Sequence, residues 1–335
     1  MIRELTPIRF ALCMMIFAHH AYSYAAGGAP AVAAFFMLSG FCMTLGYQDK
    51  ILSGSVNYID YLKIRFAKFF PIHWITLLAF FLITLYFGDV VINKRMMLSN
   101  VFLLQSWIPE RSFYFSYNAI AWYLSTALFA YLCFPMLISL LDKIIRRQRM
   151  FLLMAMLVGY VIVAYALPKS DYHAMLYINP VCRCIDFVIG IYLAEWYKSI
   201  EIENLRKYGW LFDLGMIVSF VLLNVISMRI SDELRPISAF FWLPSAGLII
   251  CTCLASRTSS ILSRILSFSF VQRSTSCPFS LMMWSVCVVY VFDKLNIANS
   301  AWGGVILFFV TYTIAQISYY LIEIKLAQWI ISKVK

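Results

Sequence analysis

Two adjacent histidines, His19 and His20, lie in the first apolar stretch of the chain, and Arg9 precedes His20 by eleven positions. In an α-helix, eleven steps correspond to a rise of about 16 Å, so one helix could hold the Arg9 cation near one membrane face and the imidazoles near the other. Ionisable groups inside a hydrophobic segment are costly and usually face an internal cavity or a partner. The spacing therefore predicts a functional site that connects two compartments.

Two further cations, Arg65 and Lys68, are three residues apart and come just before Pro71. We predict that a membrane span begins at this proline, since proline is favoured in the first helical turn. Side chains one turn apart on a helix can face the same ligand. Arg65 and Lys68 are therefore candidates for binding an anionic group, and a simple role in setting membrane topology is the alternative.

The composition places the chain among membrane proteins. Of its 335 residues 63% are apolar and only 13% are charged, and the mean hydropathy is +0.81. These values are far from those of a soluble domain. Apolar stretches recur along the whole sequence, so we predict an all-α, polytopic transmembrane helix bundle in one domain over residues 1–335. No small-residue cleavage site follows the first stretch, which predicts a retained helix and not a removed signal peptide.

About ten spans can be drawn from the hydropathy. They cover residues 6–24, 30–47, 71–88, 117–141, 149–167, 176–196, 209–228, 237–255, 279–292 and 301–321. The stretch from Met96 to Ile108 is apolar but short, and we predict a helix on the membrane surface there and not an eleventh span.

The charge distribution predicts the orientation. With ten spans, nineteen lysines and arginines fall on one side and seven on the other, and Arg183 lies within a span. The positive-inside rule then predicts that both termini are cytoplasmic. The excess of basic residues on the cytoplasmic side accounts for the net charge of +11, so a nucleic-acid partner is not needed to explain it. Basic residues at this level also suit membrane lipids with anionic headgroups.

The nine cysteines show no spacing typical of zinc ligands, and several lie within apolar helices, where a thiol acts as a small apolar side chain. We predict neither a metal site nor a disulfide framework.

Several short motifs, in order along nearly the whole chain, resemble those of the acyltransferase-3 family of integral membrane acyltransferases. Arg9 to His20 resembles the family's arginine-x10-histidine motif. The other matching segments are Phe35 to Phe41, Arg65 to Trp74, Trp122 to Ser125 with Phe134-Pro135, Asn179 to Gly190, and Ser318 to Glu323. Three positions depart from the family pattern: Lys68 and Asp186 replace arginine and glutamate, and Ser285 replaces a histidine.

The resemblance implies the transfer of an acyl group, often acetyl, from acyl-CoA as co-substrate, with no bound cofactor. An acceptor hydroxyl must lose its proton as it attacks a thioester, and histidine does this best near neutral pH. We expect His20 to be the general base or an acyl relay, with His19 orienting it or sharing the role. Arg9, Arg65 and Lys68, all on the predicted cytoplasmic side, would hold the phosphates of coenzyme A.

Five more residues are candidates for supporting roles. Ser39 precedes Gly40, and these small residues allow close helix packing. Arg183 and Asp186 are one helical turn apart, which favours a structural ion pair over catalysis. The remaining two are Trp122, in the W-x-L-S segment, and Glu323, which we expect to pair with an arginine or lysine.

Two other histidines have simpler interpretations. His73 follows Pro71 and precedes Trp74, which is typical of an anchor at the membrane interface, and contact with the substrate is the alternative. His173 lies in a predicted outside loop with charged neighbours, where we expect it to be solvated.

Together with the predicted spans, the resemblance implies a multi-pass acyltransferase of the cytoplasmic membrane that acetylates a hydroxyl of a cell-surface or exported carbohydrate, or of a glycolipid. A transporter or flippase of polysaccharide or lipid-linked sugar is the alternative, with Arg9, His20 and Arg183 lining a path. Transporters often contain internal repeats, and we find no repeat of the first half in the second. An inactive relative that keeps the fold for binding is the third possibility.

Overall fold

The computed structural model describes residues 2–22, 27–201, 203–297 and 302–334, with the backbone alone for residues 203–204 and 333–334. The regular secondary structure of this part of the chain is all helical, with no strand, which confirms the all-α prediction. The predicted first span extends to residue 24 and the last begins at residue 301, so those two edges lie outside the described residues.

Fifteen α-helices follow one another along the described part of the chain. They are α1 (Leu5–Tyr22), α2 (Ala29–Leu52), α3 (Tyr58–Tyr86), α4 (Lys94–Val101), α5 (Arg111–Tyr114), α6 (Trp122–Asp142), α7 (Arg146–Ala166), α8 (Pro180–Lys198), α9 (Gly209–Arg229), α10 (Ala239–Thr258), α11 (Ile261–Ser267), α12 (Ser269–Ser274), α13 (Pro278–Lys294), α14 (Gly303–Ser318) and α15 (Ala327–Val334). Two π-helical segments, His173–Ile178 and Tyr319–Leu326, precede α8 and α15.

Seven helical segments in the described residues are long and apolar enough to cross a membrane. They are Ala29–Leu52, Tyr58–Tyr86, Ala119–Asp142, Arg146–Ala166, Leu205–Arg229, Ala239–Thr258 and Gly303–Ser332. An eighth results if Lys169–Ile178 and Pro180–Lys198, which are bent by 53°, form one span. The other two predicted spans correspond to α1, with 18 residues, and α13, with 17. The chain is therefore a membrane protein, and the count of ten and the cytoplasmic termini stay predictions.

The helix α3 begins thirteen residues before the predicted span at Pro71, so that boundary was wrong. Asn57 caps the helix, since its side chain accepts a hydrogen bond from the Asp60 backbone N–H at 2.8 Å. Pro71 lies inside the helix, where its missing N–H removes one backbone hydrogen bond without ending the helix. Arg65 and Lys68 consequently project from α3 itself.

The short helix α4 occupies the segment where an eleventh span was considered. Its eight residues cannot cross a membrane, as the short apolar stretch predicts. The carbonyls of its last two residues are bound by α3, because Trp74 Nε1 donates to Val101 O at 3.0 Å and His73 Nε2 lies 2.8 Å from Asn100 O. His73 is completely buried in the middle of α3, so the prediction of an interfacial anchor was wrong.

The closest contact between two helices is the crossing of α2 and α8. A Cβ atom on Gly40 would lie 1.9 Å from the Phe187 carbonyl oxygen, and one on Gly190 would lie 1.9 Å from the Met37 carbonyl oxygen. Only glycine at both positions lets the two backbones approach so closely. This confirms the close packing predicted from Ser39-Gly40. It also places α2 at the centre of the bundle, with an unbroken buried stretch from Ala31 to Leu38.

The bundle has two distinct ends. At the end that we call the basic end, Lys198 on α8 donates to Gln48 on α2 at 3.0 Å, Arg149 on α7 pairs with Glu195 on α8 at 3.0 Å, and Glu4 accepts from Ser263 Oγ at 2.7 Å. At the opposite end, which we call the histidine end, the last turn of α1 meets the starts of α2 and α6. The loop before α10 and the π-helical segment His173–Ile178 complete this end.

Candidate active site

A cavity of about 340 Å³ opens at the histidine end, and both predicted catalytic histidines line it. The His19 and His20 rings are 5.2 Å apart between centroids, and both side chains are exposed. No residue in the described ranges forms a hydrogen bond with the His20 ring. This imidazole is therefore available to a substrate hydroxyl in the cavity.

Aromatic side chains form much of the cavity wall. The Trp122 and Tyr177 rings lie 4.8 Å apart, and Tyr123 packs 4.7 Å from Phe36 on α2. Trp122 was predicted as a supporting residue, whereas Tyr123 and Tyr177 were not singled out. Amphipathic rings of this kind offer an apolar face and a polar tip to a bound molecule.

The third histidine of the cavity is His173, which sequence reasoning placed in solvent. It is half-buried, stacks against Tyr114, and lies 3.1 Å from the Tyr114 hydroxyl through Nδ1. The π-helical segment His173–Ile178 turns this residue and Tyr177 toward the bundle. Single-turn π segments are frequent at functional sites, so the prediction that His173 is solvated was wrong for a structural reason.

The predicted ion pair of Arg183 and Asp186 forms behind this wall. Arg183 Nη1 donates to Asp186 Oδ2 at 2.7 Å, and both side chains are almost completely buried. Trp242 Nε1 donates to the second carboxylate oxygen at 2.6 Å. The Arg183 guanidinium also lies 4.8 Å from the Tyr177 ring centroid and donates to the Tyr177 carbonyl at 3.1 Å. Arg183 therefore supports the position of Tyr177 and does not itself line the cavity.

Ser39 lies between the cavity and the basic end. Its side chain lies close to those of Tyr123 and Tyr131, and the charge of Arg9 acts on both tyrosines. Since Tyr123 lines the cavity, these polar groups connect the His19-His20 pair with the cations toward the basic end. The supporting role of Ser39 stays a prediction.

The three predicted phosphate-binding cations form one cluster with Glu323. The charges of Arg65, Arg9 and Glu323 all act on Lys68, whose side chain is exposed. The cluster joins α1, α3 and the π-helical segment Tyr319–Leu326. We call this set of four residues the cation cluster.

Two members of the cation cluster have well-defined partners. Arg65 is buried, donates to the Tyr47 hydroxyl at 2.5 Å, and stacks 4.7 Å from the Tyr47 ring centroid. Glu323 accepts hydrogen bonds from the Ser280 backbone N–H at 3.0 Å and from the Ser280 hydroxyl. The expected direct ion pair of Glu323 is thus replaced by Ser280, because the start of α13 points its free N–H groups at the carboxylate. Lys68 and Arg9 are left without a carboxylate of their own among the described residues.

Two negative observations concern the remaining candidates. Within the described ranges, no group of three or more His, Cys, Asp or Glu residues could hold a metal ion. Ser285 is buried and donates to the Met282 carbonyl at 2.7 Å, so it faces its own helix and not the cavity.

A family model described as an acyltransferase domain matches residues 3–320, which is nearly the whole chain. The chain belongs to this acyltransferase family. Among curated proteins it is 27% identical to acyltransferase MdmB of Streptomyces mycarofaciens over 184 residues, which are 50% of this chain and 46% of that protein. It is 22% identical to O-acetyltransferase OatA of Staphylococcus aureus over 333 residues, which are 94% of this chain and 55% of that protein.

The chain spans about half the length of these curated relatives. No solved structure matches it. The family assignment confirms the resemblance inferred from the ordered motifs, including Arg9 to His20.

Proposed function

We propose that this chain transfers an acetyl group from acetyl-CoA to a hydroxyl of a cell-surface or exported carbohydrate, at or across the cytoplasmic membrane. In this proposal the donor binds at the cation cluster, and the acceptor enters the cavity at the histidine end. His20 serves as the general base or as the residue that carries the acetyl group.

The observation that carries the proposal is the continuity of α1. This single helix holds Arg9, whose charge acts on Lys68 in the cation cluster, and ends with His19 and His20 in the cavity. A rise of about 16 Å separates the two functions along one rigid element. A long, thin pantetheine arm extending beside α1 would bring its thioester to the imidazole while its phosphates stay with the cations.

The donor end offers suitable charge for coenzyme A. Lys68 is exposed and can turn toward a phosphate, while Arg65 is held against Tyr47 and contributes a fixed positive field. Lysine binds phosphate as a point charge, and arginine can bind it in a planar fork. Three cations in one cluster with a single carboxylate favour a polyanionic ligand.

The chemistry at His20 follows one of two routes. In the direct route, an imidazole nitrogen accepts the proton of the acceptor hydroxyl while its oxygen attacks the thioester carbonyl. The carbon–sulfur bond breaks, and the coenzyme A sulfur takes the proton from the imidazolium. In the relay route, the imidazole attacks the thioester first, releases coenzyme A as the thiol, and passes the acetyl group to the hydroxyl in a second step.

At the acceptor end, the residues that line the cavity suit a carbohydrate. The rings of Trp122, Tyr123 and Tyr177 line the cavity, and the two tyrosines also carry hydroxyl groups. Sugar rings likewise carry both C–H faces and hydroxyls. Its volume of about 340 Å³ is of the size found in small-ligand sites.

The test is acetyl transfer by the purified full chain in detergent, with acetyl-CoA and a mixture of oligosaccharide acceptors. We expect His20→Ala to lower turnover at least about 100-fold, because a positioned base contributes that much or more. Acetyl-CoA binding should be unchanged in the variant, which controls for folding. Unchanged turnover in His20→Ala would refute the role of this residue.

Two further outcomes are informative. If His19→Ala abolishes turnover and His20→Ala does not, the base is the other imidazole. If the wild-type chain neither binds acetyl-CoA nor forms an acetylated product, but moves a lipid-linked sugar across liposomes, the acyl-transfer proposal fails and transport is the function.

A further inference from the structure

A second, larger cavity of about 1010 Å³ lies at the basic end, between α7 and α8. It shares no residue with the cation cluster or with the histidine-end cavity. We propose that this groove binds one anionic phospholipid, with the headgroup phosphate at Lys143 and Arg146 and the acyl chains along the apolar walls. The site is distinct from the proposed donor and acceptor sites and does not depend on them.

The groove exists because α7 is attached to the bundle unevenly. Its buried residues, Tyr160 and Ala164, lie in the half near the histidine end, where the Tyr160 hydroxyl accepts from the Ser238 backbone N–H at 3.1 Å. The half near the basic end has no buried side chain. Its polar ties to α8 run through Arg149, which pairs with Glu195 at 3.0 Å and whose carbonyl accepts from the Tyr192 hydroxyl at 2.7 Å, and its Leu153 and Met156 pack against the core while only partly buried. This half leaves a gap against α8 that the protein itself does not fill.

The walls of the gap are apolar and open toward the surrounding membrane. Leu153 of α7 and Ile189 and Leu193 of α8 line the cavity. At its mouth, Met150 and Trp196 are 50% and 49% exposed. Large apolar side chains left open in this way, on two helices of a membrane protein, suit hydrocarbon chains better than water.

The charges at the rim fit a ligand with one negative charge. Two of the three carboxylates are neutralised, since Glu195 pairs with Arg149 and Asp49 pairs with Lys198 at 3.1 Å. Lys143, Arg146 and Asp142 remain without an ion pair in the described residues, and all three are exposed. The net charge of +1 complements a phosphodiester headgroup. Coenzyme A, which carries several phosphate charges, finds no matching excess of cations here.

The position of the two cations also suits a lipid headgroup. Lys143 caps the end of α6 and Arg146 begins α7, so both lie where the apolar helices give way to the polar turn. Basic side chains at this level attract anionic lipids, and each contributes to the attraction. A lipid held there would fill the gap and connect α7 to α8.

The experiment compares lipid retention and stability in four forms of the full chain. They are the wild type, Lys143→Gln/Arg146→Gln, Met150→Trp and Arg147→Gln. Arg147 is the matched control, because it is adjacent in sequence but stacks on Phe151 and does not line the groove. Native mass spectrometry measures how much phosphatidylglycerol or phosphatidylcholine each form retains, and thermal unfolding is followed with each lipid added.

We expect the wild type and Arg147→Gln to retain one phosphatidylglycerol and to unfold at a higher temperature in its presence than with phosphatidylcholine. The double variant should bind this lipid about tenfold more weakly or worse, because two headgroup cations are lost. Met150→Trp, which keeps every charge, should weaken both lipids by filling the mouth of the groove.

Three results would overturn the proposal. The first is equal retention of phosphatidylglycerol by all four forms. The second is equal retention of the two lipids by the wild type. The third is displacement of the lipid by acetyl-CoA with loss of acetyl-CoA binding in Lys143→Gln/Arg146→Gln, which would make the groove a donor site.

Discussion

The two ends of the bundle differ in how their polar groups are held. At the histidine end, His19 and His20 are exposed in an aromatic cavity, and the described residues offer His20 no hydrogen bond. At the basic end, Arg65 is buried against Tyr47, and Glu323 is bound by Ser280. The polar groups of one end are therefore free to reorient, whereas Arg65 and Glu323 at the other end are held in place by neighbouring side chains.

Under the proposed function the two ends bind different substrates, so they must be held at a constant separation. The α2–α8 crossing lies between them, and α1 passes from one to the other. Stability should therefore depend most on the middle of the bundle, and affinity for each substrate should depend on one end only.

The largest effect is expected at the crossing. Gly40→Ala or Gly190→Ala places a methyl group 1.9 Å from a backbone carbonyl oxygen, which neither helix can avoid without moving. We expect destabilisation by more than about 4 kcal/mol, seen as loss of folded protein in detergent. Gly46→Ala is the control on the same helix, because its methyl group would meet nothing within 4 Å. Folding of Gly40→Ala as good as that of Gly46→Ala would contradict the close crossing.

The second effect concerns the buried ion pair behind the cavity wall. Arg183→Met leaves the Asp186 carboxylate buried without its cation, at a cost of about 3–5 kcal/mol. Lys169→Met breaks the exposed pair with Glu233, which contributes about 0–1 kcal/mol. Thermal unfolding of both variants measures the contrast, and equal melting temperatures would show that Arg183 is not a structural residue.

The third effect concerns the affinity for acetyl-CoA, which should depend on the basic end and not on the histidine end. Lys68→Gln removes the exposed cation of the cluster, and we expect the KM for acetyl-CoA to rise about tenfold, as for a lost hydrogen bond to a charged group. The acceptor KM should not change. Lys63→Gln is the control on α3, since Lys63 pairs with Asp60 outside the cluster. A parallel rise of both KM values in Lys68→Gln would argue against separate ends.

The smallest effect is expected in the cavity wall. Tyr177→Leu removes one ring next to Trp122, and aromatic contacts contribute about 0.5–1.5 kcal/mol beyond their area. The acceptor KM should rise about two- to tenfold, with the acetyl-CoA KM unchanged. Tyr165→Leu, at a position 93% exposed on α7, should leave both constants unchanged. A higher KM for acetyl-CoA alone would place the donor at the histidine end.

The sequence predicted the features that depend on local spacing. Gly40 marked a close crossing because small residues in apolar helices serve that purpose, and Arg183 with Asp186 marked an ion pair because they are one turn apart. The ordered motifs also identified the family. The crossing, the ion pair and each single motif can be recognised within one or two neighbouring turns of helix.

The sequence could not predict what depends on distant packing. Pro71 suggested a helix start, although Asn57 with Asp60 forms the true cap further upstream. His173 looked like a solvated loop residue, and only the π-helical turn before α8 brings it into the cavity.

The most direct test of the account uses proteoliposomes with acetyl-CoA outside and a carbohydrate acceptor trapped inside. Only protein molecules whose basic end faces outward can bind this acetyl-CoA, so the assay reports on that fraction. We predict that the wild type forms acetylated acceptor inside and free coenzyme A outside, and that His20→Ala forms neither. Acetylated product that forms only when donor and acceptor share one side, or that forms equally in His20→Ala, would contradict the transfer along α1.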